Sequence, residues 1–267
     1  MNTIEIKNLH FSYNAGEEIL KGLNLTIDER STAIIGQNGA GKTTFVKLLK
    51  GLLRPTEGQI LFNGQDISKQ TVATLAKDIG LIFQNPNDQI FKNTVLDEVM
   101  FGPMQIGMSK DKAKEVALKA LDMVGLKGTE KINPYDLGLS ERKMVSIAAI
   151  VAMDTKVVIF DEPTIAQDYM GKKRIQAIMK ELQRQHKIVI SILHDMDFVA
   201  ETFDRAIVFA KGDALLDGDV KSVFKEKDIL EKAYLEKPYT MQLCYELGYK
   251  EAFLNPEDFV AYKKANQ

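Results

Sequence analysis

The sequence is short of the features that would set it apart from ordinary soluble proteins. Its one cysteine, Cys244, excludes an internal disulfide, makes a reducing compartment the simplest setting, and reads as a small core residue. The longest mostly apolar stretch, Met144 to Met153, falls well short of the roughly 20 residues needed to cross a bilayer. Work at a membrane would then require other chains to hold this one there. Charge of one sign is not in excess: 35 Lys and Arg face 37 Asp and Glu, a net charge of −2. That balance gives no bias toward polyanions, and nucleic acid is not an expected partner. The opening Met1 to Lys7 alternates in strand fashion and offers no charged start with an apolar block, so no secretory signal is expected. Internal repeats and low-complexity tracts are not visible. What is present, 45% hydrophobic and 27% charged residues over 267 positions, suffices for one large domain or two lobes.

The most informative stretch is Gly36-Gln37-Asn38-Gly39-Ala40-Gly41-Lys42-Thr43-Thr44, between the β-branched run Thr32 to Ile35 and the helix-like Phe45 to Lys50. This is the strand, loop and helix context that the phosphate-binding pattern G-x-x-x-x-G-K-[ST] requires. Gly36, Gly39 and Gly41 let successive backbone N–H groups converge on one anion. Lys42 would serve the β- and γ-phosphates, and the Thr43 hydroxyl is the expected Mg²⁺ ligand. The helix start would add its positive end.

Strands are expected at Ile4 to Ile6, Leu9 to Tyr13 and Leu23 to Ile27, with a turn at Asn14-Ala15-Gly16. After the first helix the pattern predicts a strand at Gln59 to Phe62, a turn at Asn63-Gly64, a helix near Ser68 to Lys77 and a strand at Ile79 to Phe83 that ends on Gln84. Asn85 to Gln89 and Phe101-Gly102-Pro103 read as loops, and Asp111 to Val124 as an amphipathic helix. A second helix, about Glu141 to Met153, would bury Met144, Ile147, Ala148 and Val151. Apolar strands at Val157 to Phe160, Ile188 to Leu193 and Ala206 to Phe209 alternate with helices and argue a mostly parallel sheet covered on both faces. Its ligand belongs at the crevice outside the strand ends. Turn breaks at Lys237-Pro238 and Asn255-Pro256 precede helix-like segments.

Three further strand ends carry polar groups suited to chemistry. Asp161, closing the strand that starts at Val157, is placed to hold Mg²⁺ and Glu162 to polarise an attacking water, although a strand ending in two acids is by itself an ordinary loop entry. His194 could reach the terminal phosphate, yet a lone histidine is more often a satisfied core or surface residue. Gln84 could offer Mg²⁺ or water its amide oxygen.

The order of these elements, each after an apolar strand, resembles an ABC-type ATPase subunit over nearly the whole chain. The resemblance implies an α/β P-loop fold with a RecA-like lobe, an N-terminal antiparallel β-subdomain, a helical subdomain and a small C-terminal helical extension. It divides the chain into residues 1–84 with 155–217, then 85–154, then 218–267. It implies that Tyr13 stacks on adenine, that residues 36–44 bind ATP and that Thr43, Gln84 and Asp161 hold Mg²⁺. Gln84, Glu162 and His194 would be catalytic, as Q-loop residue, carboxylate and switch histidine, with Ile165 to Asp168 as the D-loop. For Tyr13 the competing reading is a half-buried strand tyrosine.

One motif departs from the family pattern. Where Leu-Ser-Gly-Gly-Gln is expected, the chain reads Leu137-Gly138-Leu139-Ser140-Glu141, so Gly138 brings no hydroxyl to a phosphate bound in trans by a second subunit. Ser140 and the helix start are the candidates to replace it. A shift by two residues would match Leu139-Ser140, but would put Glu141 and Arg142 where the backbone must approach phosphate.

The run Phe83 to Phe91, with Val95 and Phe101-Gly102-Pro103, is similar to energy-coupling-factor and cobalt-type importer ATPases. That branch implies import of a vitamin or metal, a second and paralogous ATPase, a transmembrane coupling protein and a substrate-capturing membrane protein. It implies a location at the cytoplasmic face of the membrane. Phe91, Phe101 and Met104 would meet a helix of the coupling protein, unless they are plain core. Another ABC transporter class or a non-transport ABC ATPase is the alternative; a second cassette, long coiled coil or basic face is not visible.

Overall fold

The computed structural model describes residues 1–14, 16–249 and 251–265; the middle residue of the expected turn, Ala15, and the last two residues of the expected extension lie outside them. The chain opens with β1 (Ile4–Ser12), β2 (Glu18–Ile27), β3 (Thr32–Ile35), α1 (Lys42–Leu49), β4 (Glu57–Phe62), β5 (Gln65–Asp66), α2 (Val72–Leu75) and β6 (Ile79–Ile82). Three helices follow: α3 (Val95–Gln105), α4 (Lys110–Met123) and α5 (Leu139–Val151). Then come β7 (Val157–Asp161), α6 (Tyr169–Arg184), β8 (Ile188–Ile192), α7 (Met196–Thr202), β9 (Arg205–Ala210) and β10 (Asp213–Asp219). The C-terminal part holds α8 (Val220–Val223), α9 (Lys227–Lys232), α10 (Tyr239–Glu246) and α11 (Pro256–Ala265).

Two sheets result. The first is antiparallel in the order β2-β1-β4-β5; the second runs β10-β9-β3-β8-β7-β6 and is parallel from β9 to β6. The parallel strands are buried on both faces, and their period of two feeds two cores. Ile34, Val157, Ile159, Ile190 and Ile207 join the antiparallel sheet and α1, while Ala33, Val158, Phe160, Val189 and Val208 join the helical layer. The expected doubly covered sheet is therefore present. It explains why β3, β7 and β8 carry no alternation of polar residues.

Two local expectations were overturned, and a third element begins slightly earlier than expected. The helix expected near Ser68 to Lys77 is a 3₁₀ turn at Ile67–Lys69 followed by the four-residue α2. Asp66 caps the Ser68 N–H and Thr71 caps the Thr74 N–H, so two separate starts replace one continuous helix. Phe101-Gly102-Pro103 is no loop but lies inside α3. Gly102 there faces the Met153 side chain, whose sulfur would stand 2.6 Å from any Cβ, so tertiary packing outweighs poor helix propensity. Helix α5 starts at Leu139, two residues earlier than expected, with Gly138 as its cap and Glu141 bonding back to the Gly138 N–H at 3.0 Å. It is also buried on nearly every side, from Lys143 to Ala149, since α3, α4 and the sheet surround it.

The strands expected at Ile4 to Ile6 and Leu9 to Tyr13 form the single strand β1, which ends at Ser12, and β2 begins at Glu18, before the expected Leu23; the other expected elements agree to within a few residues. Cys244 is buried, as expected of a small core residue.

Candidate functional site

The chain turns sharply out of β3 into α1, and the geometry there requires glycine. Gly36 has φ +150°, and a Cβ on it would sit 2.1 Å from the Phe209 carbonyl oxygen of β9. Gly41, the α1 cap, has φ +98°. The Lys42 ammonium donates to the Gly36 carbonyl at 2.6 Å and the Gln37 carbonyl at 2.9 Å, fixing it across the mouth of the loop. Burial lowers its pKa, against the pull of Glu162 and Asp161.

A cleft of about 200 Å³ is lined by Tyr13, residues 38–44, Ile19 and Glu162. Tyr13 lies past the end of β1, is 54% exposed, and stands edge-on to Phe11 at 4.8 Å. It shares a 3.3 Å hydrogen bond with the Thr44 hydroxyl. A half-buried strand position is therefore not its place; its ring flanks the phosphate loop.

Glu162 follows β7 with φ +47°, an uncommon backbone for a side chain with a Cβ and one often met at functional sites. Its carboxylate is held from both sides. Gln84 donates through Nε2 to Oε2 at 2.8 Å, and His194 Nε2 lies 3.1 Å from Oε1. Gln84 comes from the end of β6 and His194 from the end of β8, so parallel neighbours bring together residues that are 78 and 32 positions away from Glu162. The Asp195 carboxylate caps α7 through the Phe198 N–H at 3.0 Å and pairs with Lys172 at 2.6 Å, which fixes the segment carrying His194.

Asp161, one residue earlier, is 5% exposed and its Oδ1 has no hydrogen-bond partner. Burial, aided by the Glu162 charge, lifts its pKa to about 6, although Lys143, Lys47 and Lys42 pull downward. A cation fits these residues: the orphaned carboxylate oxygen, the Thr43 hydroxyl and the Gln84 amide oxygen are hard oxygen donors of the kind Mg²⁺ takes. Among the described residues no cluster of three His, Cys, Asp or Glu side chains is placed to hold a metal.

The signature segment stands apart from this cleft. Residues 138–141 line none of it. The Ser140 hydroxyl, expected to help replace the missing one, donates instead to Gln167 Oε1 of the D-loop at 2.8 Å. The first N–H of the segment is likewise taken by Glu141.

Sequence reasoning passed over Lys143 and gave Gln167 no role beyond its place in the Ile165 to Asp168 stretch. Gln167 holds Ser140, and Lys143 lies 2% exposed with its ammonium on the Phe83 and Gln84 carbonyls. The sequence around Lys143 carries no signal for this, since Ser140, Glu141 and Arg142 precede it on the helix and make it read as one more solvated residue. Phe91 and Met104 are 57% and 44% exposed, and Phe91 packs edge-on to Phe101 at 4.8 Å. The Lys92 ammonium lies over both rings, so the plain-core reading of Phe91 and Met104 does not hold.

A glycine-rich turn and three polar strand ends on one edge of a parallel sheet, flanked by an antiparallel sheet and a helical insertion, define a P-loop nucleotide-hydrolysing cassette. The family model described as ABC transporter matches residues 20–165, and the chain belongs to that family as an ATP-binding ATPase. It is 39% identical over 247 residues to a putative ABC transporter ATP-binding protein of Pyrococcus furiosus, covering 92% of this chain and 94% of the relative. It is 36% identical over 254 residues to the energy-coupling factor transporter ATP-binding protein EcfA of Methanocaldococcus jannaschii, covering 94% and 91%. Among solved structures, CbiO1 of Clostridium perfringens, part of the ABC transporter complex CbiONQ, superposes with a TM-score of 0.76 at 34% identity, over 86% of this chain and 93% of that one. The cassette MJ0796, a dimer in a post-hydrolysis state bound to ADP and Pi, matches with a TM-score of 0.74 at 26% identity over 81% and 98%.

Proposed function

We propose that this chain is the ATP-hydrolysing subunit of an importer of the energy-coupling-factor type, taking up a vitamin or metal, and that it works as half of a dimer with a paralogous ATPase. The other companions are a transmembrane coupling protein and a substrate-capturing membrane protein. Among the described residues no helix is long and apolar enough to cross a membrane, so these partners would hold the chain at the cytoplasmic face. Residues 1–84 with 155–217 form the nucleotide-binding lobe, 85–154 the helical signature subdomain and 218–267 the extension.

Adenine stacks on Tyr13, and the phosphates lie against the backbone N–H groups of residues 36–44 with Lys42 beside them. Mg²⁺ on Thr43, Gln84 and Asp161 would neutralise charge on the β- and γ-phosphates. The Glu162 carboxylate orients and polarises the attacking water, while Gln84 and His194 fix its direction. The observation that carries the reading is the placement of Glu162, clamped at 2.8 and 3.1 Å and lining the same cleft as the phosphate loop. In the dimer, the partner's ATP would meet Gly138, Leu139, Ser140 and Glu141, an atypical signature; this chain thus supplies a full catalytic side to one site and a weak signature to the other.

Glu162→Gln keeps the shape and removes the charge. ATP turnover of the assembled complex should fall about 10²- to 10⁴-fold with ATP binding retained; undiminished turnover overturns the assignment. Tagging the chain and purifying it from membranes should bring down the three companions, and recovery of a ribosome or DNA complex instead overturns the transport reading.

A further inference from the structure

We propose that Lys143 is a positioning residue for ATP hydrolysis: from the helix after the signature segment it holds the backbone of Gln84, and through Gln84 it aims Glu162. The inference rests on the reading of Glu162 as the group that polarises water. It adds a residue outside the nucleotide cleft on which turnover depends.

The contacts form one chain of hydrogen bonds. The Lys143 ammonium donates to the Phe83 carbonyl at 2.9 Å and to the Gln84 carbonyl. The Gln84 side chain then donates to Glu162 Oε2 at 2.8 Å, and His194 closes the far side at 3.1 Å. Arg142 braces the same loop further on, through Asn87 Oδ1 at 2.8 Å. Gln84 and Asn85 themselves are exposed, and the loop's other ties lie around them: Gln89 accepts from the Phe83 N–H at 3.2 Å and donates to the Ser146 carbonyl at 3.1 Å, and Pro86 is buried, so on the Gln84 carbonyl itself the Lys143 ammonium is the side-chain contact.

A lysine is a costly choice at this position if packing were its purpose. It is 2% exposed on a helix whose neighbours Met144, Val145 and Ile147 are core residues, and a methionine of similar length would fill the space without burying a charge. What the ammonium adds is several directed donors, two of them set on consecutive carbonyls where the chain leaves β6. It also adds a positive charge that attracts Asp161 and Glu162. Helix α5 carries the signature at one end and packs against α3 and α4, so a shift of the helical layer would reach the Gln84 backbone, and through it Glu162, by way of Lys143, while Arg142 and Gln89 tie the same helix to the residues on either side.

The test is steady-state ATP hydrolysis by the full chain assembled with its partners, for wild type and for K143M, K143R, Q84A, Q84A/K143M and E162Q, with binding of a fluorescent ATP analogue measured alongside. K143M should lower kcat at least about tenfold with KM for ATP within about twofold, as expected when a reacting group is misplaced and binding is not. K143R, which can still donate to both carbonyls, should recover kcat to within about threefold of wild type. In the Q84A background K143M should change kcat by less than about twofold, because the route to Glu162 is already cut. The inference is overturned by K143M at wild-type kcat, by an equal loss in both backgrounds, or by a loss that tracks the fraction of protein able to bind the analogue. Should K143M not accumulate as folded protein, K143Q, which keeps one donor for one carbonyl, carries the same comparison. Full turnover by E162Q would sink the parent reading; loss in E162Q with none in K143M sinks the role of Lys143 alone.

Discussion

Gly36→Ala tests whether the phosphate loop is held by its approach to the neighbouring strand. The new Cβ would stand 2.1 Å from the Phe209 carbonyl oxygen and 3.1 Å from its carbonyl carbon, where distances under 3.0 Å are essentially never seen for real side chains. Both atoms are backbone, so no rotamer change relieves the contact. The relief must come from parting β3 and β9 just past the Ile35 and Val208 pair. Overpacking of this kind costs roughly 1–3 kcal/mol. The backbone at φ +150° adds roughly 1–3 kcal/mol for any residue other than glycine. A loss of about 4 kcal/mol lowers the melting temperature by roughly 10 °C in a chain of this length. Gly64→Ala is the control: it has φ +78° but nothing within 4 Å, so it carries strain of about 1 kcal/mol without a clash. Thermal unfolding and ATP hydrolysis are measured on both. Gly36→Ala should also lose turnover by about 10²-fold through a displaced loop, while Gly64→Ala keeps it. Equal melting temperatures for the two variants, or normal turnover in Gly36→Ala, would refute the argument.

Asp161→Asn should stabilise the nucleotide-free protein while ending hydrolysis. The folded state holds the Asp161 proton up to about pH 6 and the unfolded state only to its ordinary 3.8, so stability falls as pH rises between these values and the full penalty, roughly 3 kcal/mol, applies above them. Removing the acid, less about 1 kcal/mol for an unpaired amide, should gain about 2 kcal/mol at pH 8 in chelator and lose about 1 kcal/mol well below pH 4, where the acid is protonated in both states; a gain independent of pH counts against the assignment. Gly138→Ser restores the family hydroxyl where a new Cβ has room, its nearest neighbour being Glu141 Oε2 at 3.6 Å, and should raise dimer closure or turnover. No change in either measurement shows that the missing hydroxyl is not limiting. Phe91→Ser, at an exposed ring that packs edge-on to Phe101 under Lys92, should cost about 1 kcal/mol of stability and leave basal ATP hydrolysis intact, yet weaken co-purification with the coupling protein. Undiminished recovery of that partner removes Phe91 from the contact.

What could be read from the chain was what is local to it. The glycines of the phosphate loop, the apolar strands and the acids closing Val157 to Phe160 lie within ten residues of one another in each case, and their elements formed where spacing placed them. What could not be read is set by contacts across the chain. Gly102 and Pro103 look like a loop until Met153 is packed against them. Lys143 looks like a solvated helix lysine until it is found 60 residues from the carbonyl it holds. Ser140 looks free for a phosphate until Gln167 is beside it. Even the left-handed backbone at Glu162 had no local warning, since glycine or asparagine is the usual sign of it.

The register of the parallel sheet divides the site into two parts that fail separately. The phosphate loop depends on β3 between β8 and β9, with Ile34 opposite both Ile192 and Ile207. The clamp on Glu162 depends on β6, β7 and β8, where Ile82 pairs with Phe160 and Asp161 with Ile192. A slip of one residue between β6 and β7 would turn Gln84 away from Glu162 and leave the loop after β3 untouched. Damage along β3 and α1 is therefore expected in affinity for ATP as well as in turnover, whereas damage along β6, or at the α5 lysine that pins its end, is expected in turnover at unchanged affinity. A variant at Gln84 or Lys143 that abolished ATP binding while its fold stayed intact would show that the two parts are one.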